Sequence, residues 1–380
     1  MDEALNTLSS QPAIMIPICL TLSVTYLFVI VGSIGYVTYR PRRKPYRADN
    51  VEFVLVTVAN GKVKNALKES LSNLRNMFRG YVVWLVIDEG AELTHYLSAL
   101  ALSDPYVRLV VVPKGYVSQC RGKARAMRYF IEYLVDQRNW YVFLDDDNLV
   151  LGNDFLYEIP YYEERGYVAF NPILKPRRGR STLAFIIDWV RYFNDLTFYR
   201  FFTGLLGVPL LGLHGELLGI RGDVLRELNI RPNSIAEDFR VAAELVRRNY
   251  KTWQSGTIVS IKSPNNLSDL QMQRARWFKG VLNDLMHAPN AMKVLVVLKS
   301  FNWVVSILAV TAIIVTANYN VYVMSLIMLN SIYYWTAYMY GVYKSGGFKY
   351  ILLTPFAWVI EVSSIFRVCS IRGFYVINKN

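Results

Sequence analysis

Cysteine is scarce in this chain of 380 residues: Cys19, Cys120 and Cys369 are far apart, and two of them lie in apolar runs. That spacing excludes a disulfide framework and a structural zinc site, and it suits a reducing compartment or a fold that needs no bridges. Charge is also sparse. With 19% charged and 53% hydrophobic residues, the chain is too apolar to be disordered and too polar to be buried wholly in lipid. Acidic residues are the rarer sign, 29 against 42 Lys and Arg, for a net charge of +13. Such an excess fits either a nucleic-acid partner or a membrane protein facing the cytoplasm, so its position along the chain must decide. No internal repeat or low-complexity tract is visible. The length allows one or two domains, since a single core rarely exceeds ~250–300 residues.

Long apolar runs, by contrast, occur at both ends. No charged residue lies between positions 4 and 39, and 13–39 is almost wholly apolar. About 20 such residues span a ~30 Å hydrocarbon core. A secretory signal would have a shorter apolar region preceded by positive charge. Here Asp2 and Glu3 come first, and Arg40, Arg42, Arg43, Lys44 and Arg47 come after. The positive-inside rule places that basic loop, and the residues beyond it, on the cytoplasmic side. A second uncharged stretch, 300–343, would form ~66 Å of helix, twice one crossing. It breaks naturally at 317–320, giving helices that leave and return. Residues 350–371 are apolar but hold Pro355, Glu361 and Arg367, so they span, lie at the interface or re-enter. The expectation is an integral protein of the plasma membrane or endomembranes. It has an N-terminal transmembrane helix and basic loop (1–47), a cytosolic domain with interfacial helices (48–290) and C-terminal transmembrane helices (291–380).

The cytosolic domain reads as α/β. Residues 51–58 (VEFVLVTV) form a continuous β-branched run, as a strand buried on both faces requires. Residues 62–77 have helical spacing, 81–87 (YVVWLVI) is a second strand, and 107–112 is a third. A basic helix comes next at 122–135, and 140–144 is a fourth strand that ends in Asp145-Asp146-Asp147. Strands alternating with helices imply a mostly parallel, doubly wound sheet, whose ligands bind at the carboxyl ends of the strands. Asp88 and Asp145–Asp147 sit at two such ends.

Three adjacent carboxylates repel one another unless a cation or donors compensate. An oxygen-only set on a tight turn suits Mg²⁺ or Mn²⁺ bridged to substrate phosphates, although a lone acidic turn is also what solvent favours. Further along, Glu237 and Asp238 precede a basic helix, as N-terminal caps or as a carboxylate poised beside a pocket. In Gln273-Arg274-Ala275-Arg276-Trp277, helical spacing puts Gln273, Arg276 and Trp277 on one face. Arginine offers forked donors for phosphate oxygens, and tryptophan offers a flat face for a sugar ring. The aromatic-rich segment 181–204 carries Asp188, Arg191 and Asp195 as one stripe. That pattern fits a helix in the membrane interface or a buried amphipathic core helix.

Taken in order, Asp88, Asp145–Asp147, Ala236-Glu237-Asp238 and QRARW at 273–277 resemble the D, DxD, ED and QxxRW series of membrane-bound family-2 glycosyltransferases. Cellulose and hyaluronan synthases are the familiar members. A closer likeness is to the β-1,4-mannosyltransferases of animal glycolipids and their archaeal relatives. It rests on Val111-Val112-Pro113-Lys114, Lys123-Ala124-Arg125-Ala126 and Ser234-Ile-Ala-Glu-Asp238. Glu89 stands where a second Asp is common, and Ala236 where Thr is usual; neither change removes a carboxylate.

The resemblance implies a GT-A-type α/β fold and a metal-dependent, inverting transfer of one sugar. The donor would be GDP-mannose, and the acceptor a lipid-linked (dolichol or polyprenyl) glycan of N-glycan or glycolipid biosynthesis. It implies Asp238 as general base. Asp88, Asp145, Lys123, Gln273 and Arg276 would face the donor, and Trp277, Glu237 and His214 the acceptor. Asp147 with Asp145 would hold Mg²⁺ or Mn²⁺. A processive polysaccharide synthase is the alternative. Nucleic-acid binding is disfavoured: no base-reading module appears, and the basic clusters (40–47, 177–180, 247–248) are equally suited to anionic membrane lipids and phosphate donors.

Overall fold

In the computed structural model the described residues are 12–118, 120, 123–228, 236–300 and 321–370. The first helix expected within 300–343, with its break at 317–320, lies outside them, as do Ser234 and Ile235.

Eight strands form one sheet in the order β3-β2-β1-β4-β7-β6-β8-β5. The strands are β1 (Val51–Val56), β2 (Val82–Asp88), β3 (Val107–Val112), β4 (Trp140–Leu144), β5 (Leu149–Val150), β6 (Tyr167–Arg177), β7 (Leu218–Arg221) and β8 (Lys251–Lys262). Strands β1 to β4 are mutually parallel. Beyond β4 the mostly parallel expectation fails. Strand β7 runs antiparallel to both β4 and β6, and β5 antiparallel to β8, whereas β6 and β8 are parallel. The sheet is therefore mixed, because β4 and its neighbour β7 are separated along the chain by β5, β6 and the helices between them rather than by a simple βαβ crossover.

Side-chain alternation explains the layers. Val54, Val56, Tyr141 and Phe143 face one way. They meet helices α4 (Lys123–Leu134), α7 (Gly222–Glu227) and α8 (Glu237–Arg247). Phe53, Leu55, Trp140, Val142 and Leu144 face the other way, against α2 (Lys64–Met77), α3 (Thr94–Ser103) and α5 (Asp154–Glu163). Two covered faces are what continuous apolar strands require.

A third cluster lies beyond the sheet. Helix α6 (Thr182–Asn194) continues as a π-helical segment, Asp195–Leu205. Its residues Ala184–Val190 are buried, packed on β6 and on α11 (Val321–Ser345). Of the two readings of this segment, the buried one describes α6. Helix α9 (Leu267–Leu285) starts at Asn266, whose side chain caps Asp269 N–H at 2.8 Å. A helix over 290–300 (α10) comes next, and α12 (Thr354–Ser363) is flanked by 3₁₀ turns. The N-terminal helix α1 (Pro12–Thr38) packs on the π-helical segment. A Cβ at Gly35 would lie 2.4 Å from the Thr197 carbonyl oxygen, so only glycine admits this approach. Among the described residues one helical stretch, Phe348–Cys369, is long and apolar enough to cross a membrane.

Candidate active site

A cavity of about 450 Å³ opens at the carboxyl ends of β1, β2 and β4. All ten residues singled out in the sequence line it: Asp88, Lys123, Asp145, Asp147, His214, Glu237, Asp238, Gln273, Arg276 and Trp277. Residues from more than 180 positions apart reach one space because β4 ends beside β1 while residues of α8 and α9 line the same cavity.

The three aspartates divide their work. Asp146 turns back into the fold, where Thr57 donates its hydroxyl at 2.7 Å. Asp145 receives Lys123 Nζ at 2.6 Å, and the same ammonium reaches Glu237 at 3.1 Å. Burial alone would lower that ammonium's pKa, but Asp145 and Glu237 outweigh it and hold Lys123 above the ordinary lysine range. Asp147 is almost fully buried, its backbone carbonyl accepting from Arg177 at 2.8 Å. Asp88, exposed at the end of β2, pairs with Arg125 of α4.

Asp238 stands in the first turn of α8, where the Phe239 N–H donates to its Oδ1 at 2.8 Å. Among the described residues it makes no ion pair. Burial first, then the charges of Glu237 and Glu216, push its carboxyl up to about 7, against the pull of Phe239 N–H and Lys123. Gly215 passes close by: a Cβ there would lie 3.4 Å from Lys123 Nζ and 3.8 Å from Asp238 Oδ2. The neighbouring carboxylate behaves oppositely. Burial would raise Glu216, but Arg191, at 2.7 Å, outweighs it and keeps Glu216 below its ordinary value. Two adjacent carboxylates with opposed shifts are the pattern by which one becomes a base that titrates near neutrality.

His214 is fully engaged. Its Nε2 meets Asp195 Oδ1 at 2.6 Å, its backbone N–H donates to Asn171 Oδ1 at 2.7 Å, and its ring lies 4.5 Å from that of Tyr199. Trp277 is already flanked by cations, with Arg191 at 4.7 Å and Arg274 at 4.6 Å from the ring centroid. It is an anchored part of the wall rather than a loose platform. The polar stripe of α6 and the start of the π-helical segment thus points inward: Asp188 to Arg274, Arg191 to Glu216 and Asp195 to His214.

Among the wall residues not marked as site residues in the sequence are Arg191, Lys299, Tyr334 and Glu361. The stripe spacing could have flagged Arg191, and the lone acid in an apolar run could have flagged Glu361. Lys299 and Tyr334 carry no local signal.

Residues 140–360, more than half of the chain, match the family model for glycosyl transferase family group 2. The chain belongs to that family. The β-1,4-mannosyltransferase bre-3 of Caenorhabditis briggsae is 23% identical over 363 residues, covering 85% of this chain and 77% of the relative. The β-1,4-mannosyltransferase egh of Drosophila melanogaster is 25% identical over 311 residues, covering 74% and 63%. Among solved structures, the mannosyltransferase PcManGT from Pyrobaculum calidifontis in complex with GDP-Man and Mn²⁺ superposes with a TM-score of 0.58. It is 14% identical and covers 93% of this chain and 98% of its own. That likeness shows the GT-A fold. As a family group 2 glycosyltransferase, the protein transfers a sugar, and its cavity at the strand ends is the place to look for that chemistry.

Proposed function

We propose that the protein transfers mannose from GDP-mannose to a lipid-linked glycan acceptor, one residue at a time and with inversion. The observation that carries the reading is Asp238, a carboxylate without an ion pair among the described residues. It lines the same cavity as the acidic turn and the QRARW helix. The names of the curated relatives, and the GDP-Man held by the fold neighbour, support mannose as the sugar.

Asp238 takes the proton from the acceptor hydroxyl as that oxygen bonds to the anomeric carbon; the bond from this carbon to the diphosphate breaks, and GDP leaves. Asp88 faces the nucleoside. Arg276, with Gln273 beside it, faces the diphosphate, where a guanidinium fork matches phosphate oxygens. Lys123 holds Asp145 and Glu237 in place. Glu237, His214 and Trp277 shape the acceptor side.

Asp145 and Asp147 would hold a hard cation through two carboxylates, with no competing soft ligand lining the cavity and phosphate oxygens of the donor to share the ion. This donor set fits Mg²⁺ or Mn²⁺. Such an ion supplies Lewis acidity for the charge that grows on the leaving diphosphate.

A membrane location explains the third cluster. Tyr334 of α11 and Glu361 of α12 reach the cavity wall, so an acceptor held by its lipid in the bilayer would meet the site from this side. In this reading 1–47 and 291–380 anchor a catalytic domain, 48–290, at the cytoplasmic face. The test is transfer from a panel of GDP- and UDP-sugars to alkyl glycosides in detergent, with and without EDTA. The expected product carries one added mannose, from GDP-mannose only and only with metal. A ladder of products, or equal use of UDP-sugars, would overturn the reading.

A further inference from the structure

Glu361 is an acid in an otherwise apolar stretch, and it is 2% exposed. Its Oε1 accepts from Arg274 Nε at 3.0 Å, and its Oε2 accepts from the Tyr338 hydroxyl at 2.9 Å. The other side of the same guanidinium donates to Asp188 Oδ1 at 2.5 Å. Arg274 is thus fixed by two carboxylates, one from α6 and one from α12. It lies over the Trp277 ring and donates to Gln273 Oε1 at 3.4 Å.

The contact is part of a ladder. Ser268, Gln271 and Arg274 recur every third residue on one face of α9. Each meets a residue of the C-terminal segment: Arg367 donates to Ser268 Oγ at 3.1 Å, Gln271 donates to Ser363 Oγ at 2.8 Å, and Arg274 donates to Glu361. Three polar rungs between α9 and the C-terminal segment set the register in a way that apolar packing alone would not.

We infer that Glu361 is a positioning residue for sugar transfer: through Arg274 it sets the Trp277 side of the cavity, so the acceptor end of the site is complete only with the C-terminal segment docked along α9. This rests on the proposal that Trp277 shapes the acceptor side. Glu361 itself touches no reacting atom. Its effect is to hold Arg274 over the Trp277 ring, at the acceptor side of α9.

The test uses the full chain in detergent, comparing wild type, Glu361→Gln and Glu361→Ala. GDP-mannose hydrolysis without acceptor reports donor handling, transfer to dodecyl glycosides reports acceptor handling, and hydrogen exchange of peptides from 267–285 reports the docking itself. For Glu361→Ala we expect faster exchange in 267–285, unchanged exchange in β1 and β4, and kcat/KM for the glycoside down about 100-fold. A misplacement of an ångström can cost that much. Donor hydrolysis should stay within about threefold. Glu361→Gln keeps an oxygen for Arg274 but loses the charge, and should lose about tenfold. If Glu361→Ala does not fold, the glutamine variant carries the test alone. A parallel fall of hydrolysis and transfer, unchanged transfer, or unchanged exchange would each overturn the inference. Failure of the wild type to use GDP-mannose would refute the donor assignment instead, and the exchange result would still decide whether Glu361 docks α9.

Discussion

Replacing Asp238 by Asn tests the chemistry most directly, because it changes one proton-accepting atom and little else. The Phe239 N–H bond to Oδ1 survives, since an amide oxygen accepts equally well. Glu237 and Glu216 lose a repelling neighbour, so donor binding should hold or tighten. Only the proton acceptor is lost. General-base catalysis is worth about 10²–10⁴-fold, or about 3–5 kcal/mol of barrier, and kcat should fall by that factor while the donor KM stays. The wild-type pH profile gives a second check. A base of pKa about 7 is about one-eleventh ionised at pH 6 and ten-elevenths at pH 8, so kcat/KM should climb about tenfold between them. That limb belongs to the whole cluster of Asp238, Glu237, Glu216 and Lys123 rather than to one group. It should be missing in Asp238→Asn. The assay is single-sugar transfer from GDP-mannose to an alkyl glycoside, with initial rates at saturating donor. An asparagine variant within about threefold of wild type, or a flat wild-type profile through pH 7, would refute the role.

Other perturbations read different parts of the site. Lys123→Met removes the cation between Asp145 and Glu237. It should cost about 3 kcal/mol of stability in denaturant unfolding and move the acid limb of kcat/KM above that of wild type, since Lys123 normally lowers Asp238. EDTA should abolish transfer and Mn²⁺ or Mg²⁺ restore it. Asp147→Ala should need at least about tenfold more Mn²⁺ for half-maximal rate, a shift checked by metal titration. Away from the cavity, burial pushes Glu158 up to about 7, while Trp253 Nε1 and Gly256 N–H donate to it at 3.1 and 2.9 Å. The folded state therefore holds this proton more tightly than the unfolded chain. The resulting stability is present below the ordinary carboxylate range and is lost as pH rises through 7, by about 3 kcal/mol in total. Glu158→Gln should flatten that dependence between pH 5 and pH 8.5.

The first half of the sheet was legible because its strands are runs of β-branched residues buried on both faces, and β4 occurs where expected. The second half was not. Strand β6 contains Pro172 and Pro176, and β7 is four residues long, too short for a period. Gly219 of β7 lies under the Phe170 ring, whose carbon would be 1.9 Å from any Cβ there. Strand β8 reads as polar, yet Thr252, Gln254, Ser255 and Thr257 are buried. Several of these bond across elements: Gln254 donates to the Pro172 carbonyl at 2.6 Å, and Thr257 accepts from Phe155 N–H at 2.8 Å. Hydropathy cannot see that Gln254 and Thr257 are satisfied inside the strand by partners about 80–100 residues away.

The acidic positions were legible for another reason: their order along the chain carried them. Their states were not. Asp145, Glu237, Glu216 and Asp238 are all carboxylates lining one cavity, and nothing in the sequence distinguishes them. The fold does so by distributing cations unevenly. Lys123 is committed to Asp145 and Glu237, and Arg191 to Glu216. Asp238 is left with a backbone N–H and two repelling neighbours. A carboxylate in that position is a poor anion near neutral pH and a correspondingly better base. Moving a cation toward it would stabilise the charge and weaken the base. Introducing a lysine by Gly215→Lys, where the backbone already runs within reach of Asp238, should therefore lower the acid limb of the profile and slow transfer together. A variant that shifted the limb but left the rate unchanged would show that proton acceptance by Asp238 does not limit the reaction.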